Sequence, residues 1–171
     1  MTKSTDTAQE AQQGMADLAG KYLTFELGDE SYGLEILKVQ EIIKMQEITK
    51  VPRTPEHVKG VINLRGKVMP VIDLRKTFEM EEVEASRDTC IIVVQVQRGE
   101  TSVILGVIVD KVSEVLEIGG DEIEPAPSFG TQVETHFILG MAKTKDSVKI
   151  LLDINKVISE GEMESLAQTA G

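Results

Sequence analysis

The sequence predicts an all-β protein, two small barrels sharing one apolar core, and three observations carry that expectation. Val and Ile dominate an apolar content of 41% in 171 residues, and β-branched residues favour strands. Short runs of such residues recur between turn signals from Tyr22 onwards, while helical periodicity is scarce. The chain also matches itself. At one offset (Gly33 to Gly106), Gly33, Lys38, Val39, Glu41 and Pro52 align with Gly106, Lys111, Val112, Glu114 and Pro125. At a second offset (Gly60 to Gly140), Gly60, Asp73 and Lys76 align with Gly140, Asp153 and Lys156. Such a period is too long for a solenoid. Each copy holds too little chain for two stacked sheets, so each is expected to curl into a small barrel of about five strands.

The elements follow in order. Residues 1–20 lack apolar periodicity and read as a flexible N-terminal tail. Strands are expected at 22–27, 31–36, 61–64, 68–72, 90–96, 102–109, 137–141 and 148–152, with Gly28-Asp29, Arg98-Gly99-Glu100 and Lys145-Asp146 as turns. Residues 74–78 suit a turn or two of helix, and 154–167 one or two helical pieces near the C-terminus. The change of offset places an insertion in the second copy between Pro125 and Gly140. The organisation expected is therefore a tail at 1–20, one domain of two intertwined barrels at 21–166, and a short tail at 167–171. A strand or two is expected to cross between the copies.

The most informative stretch is 58–75. Two apolar runs, 61–64 and 68–74, flank the polar link Arg65-Gly66-Lys67, and Gly66 takes positive φ cheaply, so the link reads as a tight turn between antiparallel strands. Arg65 would then stand at the rim with its guanidinium in solvent, beside Ile62 and Val68. A solvated turn residue would look the same. An arginine on a rigid turn is also suited to gripping a partner's carboxylates or carbonyls.

Several function classes lack support. A net charge of −11 argues against nucleic acid and anionic membranes. The longest apolar run, 103–109, is too short to span a bilayer. No basic patch followed by an apolar block marks the first twenty residues as a secretory signal. The single Cys90 allows no internal disulfide and opens an apolar strand, so a buried, inert thiol in a cytoplasmic protein is expected. His57 and His136 fall at near-equivalent places in the two copies, which looks architectural. No metal-ligand spacing, P-loop or GxGxxG pattern occurs, so no metal, nucleotide or other cofactor is expected. Glu81, Glu82 and Glu84 read as a solvated acidic linker between the copies. Few aromatic residues are present to line a Pro-rich-peptide groove or stack bases. Two readings remain: a non-catalytic adaptor, and a small enzyme or ligand-binding barrel using Cys90 or a histidine. Fast reaction of Cys90 with a thiol reagent would favour the second.

The strings Tyr32-Gly33-Leu34-Glu35-Ile36-Leu37-Lys38-Val39-Gln40-Glu41-Ile42, Val51-Pro52-Arg53-Thr54-Pro55, Lys59-Gly60-Val61-Ile62-Asn63-Leu64-Arg65-Gly66, Pro70-Val71-Ile72-Asp73-Leu74-Arg75 and Gly106-Val107-Ile108-Val109-Asp110-Lys111-Val112 resemble the CheW family of bacterial chemotaxis coupling proteins. The resemblance runs from about Tyr22 to Leu166. It implies a pair of five-stranded SH3-like barrels with short helical segments and a C-terminal helix, and a non-catalytic scaffold. That scaffold would link the cytoplasmic tips of methyl-accepting chemoreceptors to the regulatory domain of a CheA-type histidine kinase. The same resemblance implies partner contact at Arg65, Glu41, Val39, Ile42, Gly60, Val112 and Val115. From the residues alone, Val39, Val112 and Val115 suit core as well as contact, and Glu41 suits a solvated strand charge, because alternation does not say which face is buried.

Overall fold

The structure is a computed structural model and describes residues 18–126, 136–145 and 147–158. Its first half holds β1 (Gly20–Leu27), β2 (Glu30–Glu35), a 3-10 turn at Ile36–Lys38, β3 (Val39–Lys44), β4 (Val58–Leu64), β5 (Lys67–Asp73) and the one-turn helix α1 (Leu74–Thr77). The second half repeats this as β6 (Cys90–Arg98), β7 (Thr101–Val109), β8 (Lys111–Ile118), a 3-10 turn at Gly120–Glu122, β9 (Ile123–Glu124), β10 (Ile138–Lys143), β11 (Val148–Leu152) and α2 (Ile154–Val157).

The two copies exchange their opening hairpins. One sheet runs β3-β6-β7-β5-β4 and the other β8-β1-β2-β11-β10-β9, so β6–β7 completes the first barrel and β1–β2 the second. The register obeys the sequence offsets. Val71 faces Gly106 and Ile72 faces Val107 in a parallel pairing, as Leu151 faces Gly33 and Leu152 faces Leu34. The ladder slips at the same place in both, between Val58 and Gly60 and between Ile138 and Gly140. Each sheet then closes on itself. Thr49 exchanges two backbone hydrogen bonds of 2.9 Å with Val61 of β4, and the two-residue β9 pairs with β10. Closure removes the long free edges that a flat sheet of this size would expose. The SH3-like pair of barrels expected from the sequence is the architecture observed.

A shared core lies where the barrels meet, with Leu23, Phe25 and Leu34 from one sheet packed against Val58, Ile92, Val94 and Val107 from the other. Smaller clusters fill each barrel: Ile62, Met69, Val71, Ile91, Val93 and Ile108 in the first, and Tyr22, Ile118, Ile123, Ala142 and Leu151 in the second. Phe25, Tyr32, Phe78 and Phe137 stack in a row at centroid distances of 5.7, 5.7 and 5.4 Å along the shared core. The buried Thr24 fills the β1–β8 bulge, its hydroxyl donating to the Glu114 carbonyl at 2.7 Å and accepting from the Glu114 N–H at 3.2 Å.

The strands β3, β8 and β9 are absent from the sequence expectation. β3 shows only half-buried and exposed positions and β8 buries only its last residue, so neither carries the run of apolar residues that marks a strand. At two residues, β9 is too short to leave a pattern. Of the expected N-terminal tail, residues 1–17 lie outside the described residues. β1 starts at Gly20, and the Leu18 carbonyl accepts a 2.6 Å hydrogen bond from the Tyr22 hydroxyl. Of the C-terminal helical stretch, one turn is seen, while residues 159–171 and most of the second-copy insertion lie outside the described residues.

One ion pair ties three turns together. The Asp110 carboxylate, in the β7–β8 turn, accepts from Arg75 Nε at 2.8 Å and Nη2 at 2.5 Å, and from the Gly28 N–H of the β1–β2 turn at 2.8 Å. The side chains are only 14% (Arg75) and 27% (Asp110) exposed, so solvent screens this pair less than a surface one. Hydrogen bonds and the positive charge of Arg75, together with the Gly28 N–H, outweigh burial and hold the Asp110 carboxyl below the usual carboxylate range. Asp110→Asn should therefore cost about 2 kcal/mol of stability at neutral pH in urea unfolding. Because the folded-state value is depressed, the Asp110 contribution is present above the ordinary carboxylate value and is lost as pH falls through the folded one. The gap between wild type and variant should narrow below about pH 4. A gap that stays constant with pH would show that the lost charge is not the cause.

Candidate functional site

The β4–β5 connection is tighter than expected. Leu64 pairs directly with Lys67, so Lys67 opens β5 and only Arg65 and Gly66 turn the chain. Both have positive φ, 51° and 86°, where Gly66 alone was expected to. This is the two-residue hairpin geometry that favours Asn or Gly at its first central position, because an L side chain there crowds the backbone. Asn63 steadies the turn by accepting from the Gly66 N–H at 2.8 Å. Arginine is a poor residue for this backbone, so its presence points to a use for its head group.

That head group is engaged rather than free in solvent. Arg65 Nη1 donates to Glu41 Oε1 at 3.0 Å and Nη2 donates to Glu41 Oε2 at 2.5 Å, with the side chains 68% and 34% exposed. The paired hydrogen bonds and the guanidinium charge hold the Glu41 carboxyl below its ordinary value, and Glu41 raises the guanidinium correspondingly. Glu41 comes from β3 and Arg65 from the β4–β5 turn, at opposite ends of the sheet order, so the pair spans the rim of the first barrel. It borders a cleft of about 390 Å³ with Val68, Met69, Val93 and Ile104. Val68 and Ile104 are 57% and 46% exposed, over a floor of buried Met69 and Val93.

The remaining candidates fall in four places. Ile42, 45% exposed, lies beside Glu41 on β3. Val39 and Val112 are half-buried and pack against the shared core, so they belong to the seam between barrels and not to the Arg65 cleft. Val115 is 48% exposed on β8 of the other barrel. Gly60 is buried, and a Cβ there would stand 2.1 Å from the Thr49 carbonyl oxygen, which accounts for the glycine by backbone packing.

Sequence reasoning did not assemble Val93 and Ile104 with Arg65. Both reach the cleft only because β6–β7 crosses into the first barrel, and nothing in a linear pattern announces that exchange. The exposed apolar positions do repeat at the sequence offsets: Ile42 and Val68 correspond to Val115 and Val148, all about half exposed, while Lys145 stands where the first copy has Arg65. Cys90 is half-buried at the start of β6, not fully buried as expected. Burial pushes its thiol up, which leaves little thiolate for nucleophilic attack. Among the described residues no group of three His, Cys, Asp or Glu could hold a metal ion, and no helix is long and apolar enough to cross a membrane.

A family model for the CheW-like domain matches residues 21–162. The chain is 39% identical over 143 residues to the chemotaxis protein CheW of Klebsiella aerogenes, covering 84% of each. It is 32% identical over 149 residues to the chemotaxis protein CheW of Treponema pallidum, covering 85% of each. In structure it resembles the scaffolding protein TtCheW of Thermoanaerobacter tengcongensis, with a TM-score of 0.73 and 41% identity over 85% of this chain and 96% of that one.

Proposed function

Because this chain belongs to the CheW family, we propose that it is a cytoplasmic, non-catalytic adaptor coupling methyl-accepting chemoreceptors to the regulatory domain of a CheA-type histidine kinase. The observation that carries this reading is the Glu41–Arg65 pair, set over a half-exposed apolar cleft by a turn whose backbone disfavours arginine. A guanidinium has five N–H donors, and Glu41 takes two of them. Three remain for a partner's carboxylate or carbonyls, while Val68 and Ile104 supply apolar area beside them. That arrangement of an anchored arginine next to aliphatic surface suits a protein interface. The seam near Val39 and Val112, between two convex barrels, suits an amphipathic helical hairpin such as a receptor tip.

The decisive experiment is a pull-down from the source cytoplasm with the full chain as bait. A CheA-type kinase and a chemoreceptor should be recovered together. Recovery of neither, from cells that express both, would overturn the proposal.

A further inference from the structure

We infer that the acidic connector between the two copies is a strap, pinned by ion pairs across the far mouth of the first barrel, that opens when those pairs are screened. The connector is exposed, as the expected solvated linker would be, and is also pinned by polar contacts. After α1 the chain reverses at Glu79, which has a φ of 58°, with Glu79 N–H donating to the Lys76 carbonyl at 3.0 Å and Met80 N–H to the Arg75 carbonyl at 2.7 Å. This is a left-handed helix cap, and it sends the following residues back across the barrel. Arg75 Nη1 then donates to the Glu81 carbonyl at 3.0 Å. Glu82 is held between two lysines, Lys59 Nζ at 2.7 Å and Lys76 Nζ at 3.5 Å. A turn closed by Thr89 N–H on the Ser86 carbonyl at 3.2 Å leads into β6.

Beneath the strap lies a cleft of about 530 Å³ bordered by Met45, Val83, Ile108 and Asp110. It sits at the ends of β4 to β7 opposite those that frame the Arg65 cleft. Ile108 belongs to the first barrel's interior cluster, and Met45 packs against it. The strap itself buries little, since residues 81–88 are all exposed, Val83 to 53%. A segment with so few apolar contacts opens at small free-energy cost, so its closure rests on a handful of polar contacts. The Glu82 pairs are exposed enough for salt to weaken them.

The test is limited trypsinolysis of the full chain at Arg87, which is exposed within the strap. Products are resolved by mass, and rates are normalised to a short peptide carrying the same bond. Raising sodium chloride from roughly 0.05 M to 0.5 M should speed wild-type cleavage at Arg87 about threefold. Glu82→Gln should be cleaved about threefold faster than wild type at low salt and respond little to added salt. Glu84→Gln, which removes the same charge two residues on, should behave as wild type. The strap is refuted if Glu82→Gln is cut at the wild-type rate at low salt. Equal acceleration by Glu84→Gln would also refute it, by showing that net charge and not the lysine clamp governs opening.

Discussion

Gly60→Ala should destabilise the fold by about 3 kcal/mol or more, because the added methyl group meets backbone at closer range than one at Gly33 or Gly106 meets side chains. The added Cβ would lie 2.1 Å from the Thr49 carbonyl oxygen and 2.8 Å from its carbon. Neither atom can step aside cheaply, because Thr49 is held by hydrogen bonds of 2.9 Å in both directions with Val61. Those bonds close the first barrel. The φ of 149° at Gly60 adds a conformational cost for any L residue. Urea unfolding should show a markedly lower midpoint, with loss of any partner affinity following loss of fold. A Gly60→Ala variant that melts like wild type yet fails to bind would instead establish Gly60 as a contact residue, as its family position implied.

The duplication was the most legible feature of the fold because it is written in residues that backbone geometry constrains. Gly33 and Gly106 recur because a side chain of the neighbouring strand crowds each, so that an added Cβ would stand 2.9 Å from Leu151 and 2.6 Å from Ile91 respectively. Asp73 and Asp153 recur because each caps a one-turn helix by accepting from the N–H two residues on. Strands buried on both faces, such as the buried run in β7, were legible for the same reason. β3 and β8 were not, since β3 only alternates half-buried with exposed positions and β8 presents Lys111, Glu114 and Glu117 to solvent. The exchange of hairpins was foreseen only as strands crossing between copies, because pairing partners are decided by three-dimensional closure and no local pattern encodes them.

The candidate site divides along the same line. Arg65 was legible from its turn and from family resemblance, and Glu41 from resemblance alone. That the two form one ionic unit was not, because β3 and the β4–β5 turn meet only once the barrel closes. The consequence is functional. A guanidinium already oriented by an internal carboxylate loses less freedom on binding than a free arginine would.

The second large effect concerns affinity and spares the fold. Arg65→Asn should leave the melting temperature within about 2 °C of wild type or raise it, because Asn suits the positive φ of 51° at this turn position. Affinity for at least one partner, titrated separately as a receptor tip fragment and a kinase regulatory domain, should fall by roughly thirtyfold, as for truncation of an interfacial anchor. Arg65→Lys restores the charge without the planar fork and should recover only part of the loss. Glu41→Gln should weaken binding less than Arg65→Asn does, since it disturbs the aim of the guanidinium and leaves the group in place. The double variant separates the two roles. If Glu41 acts by positioning Arg65, adding Glu41→Gln to Arg65→Asn changes affinity no further, whereas independent contacts would add. Unchanged affinity for both partners in Arg65→Asn would remove the arginine from the interface, and a large drop in melting temperature would show that its pairing with Glu41 serves the barrel and not a partner.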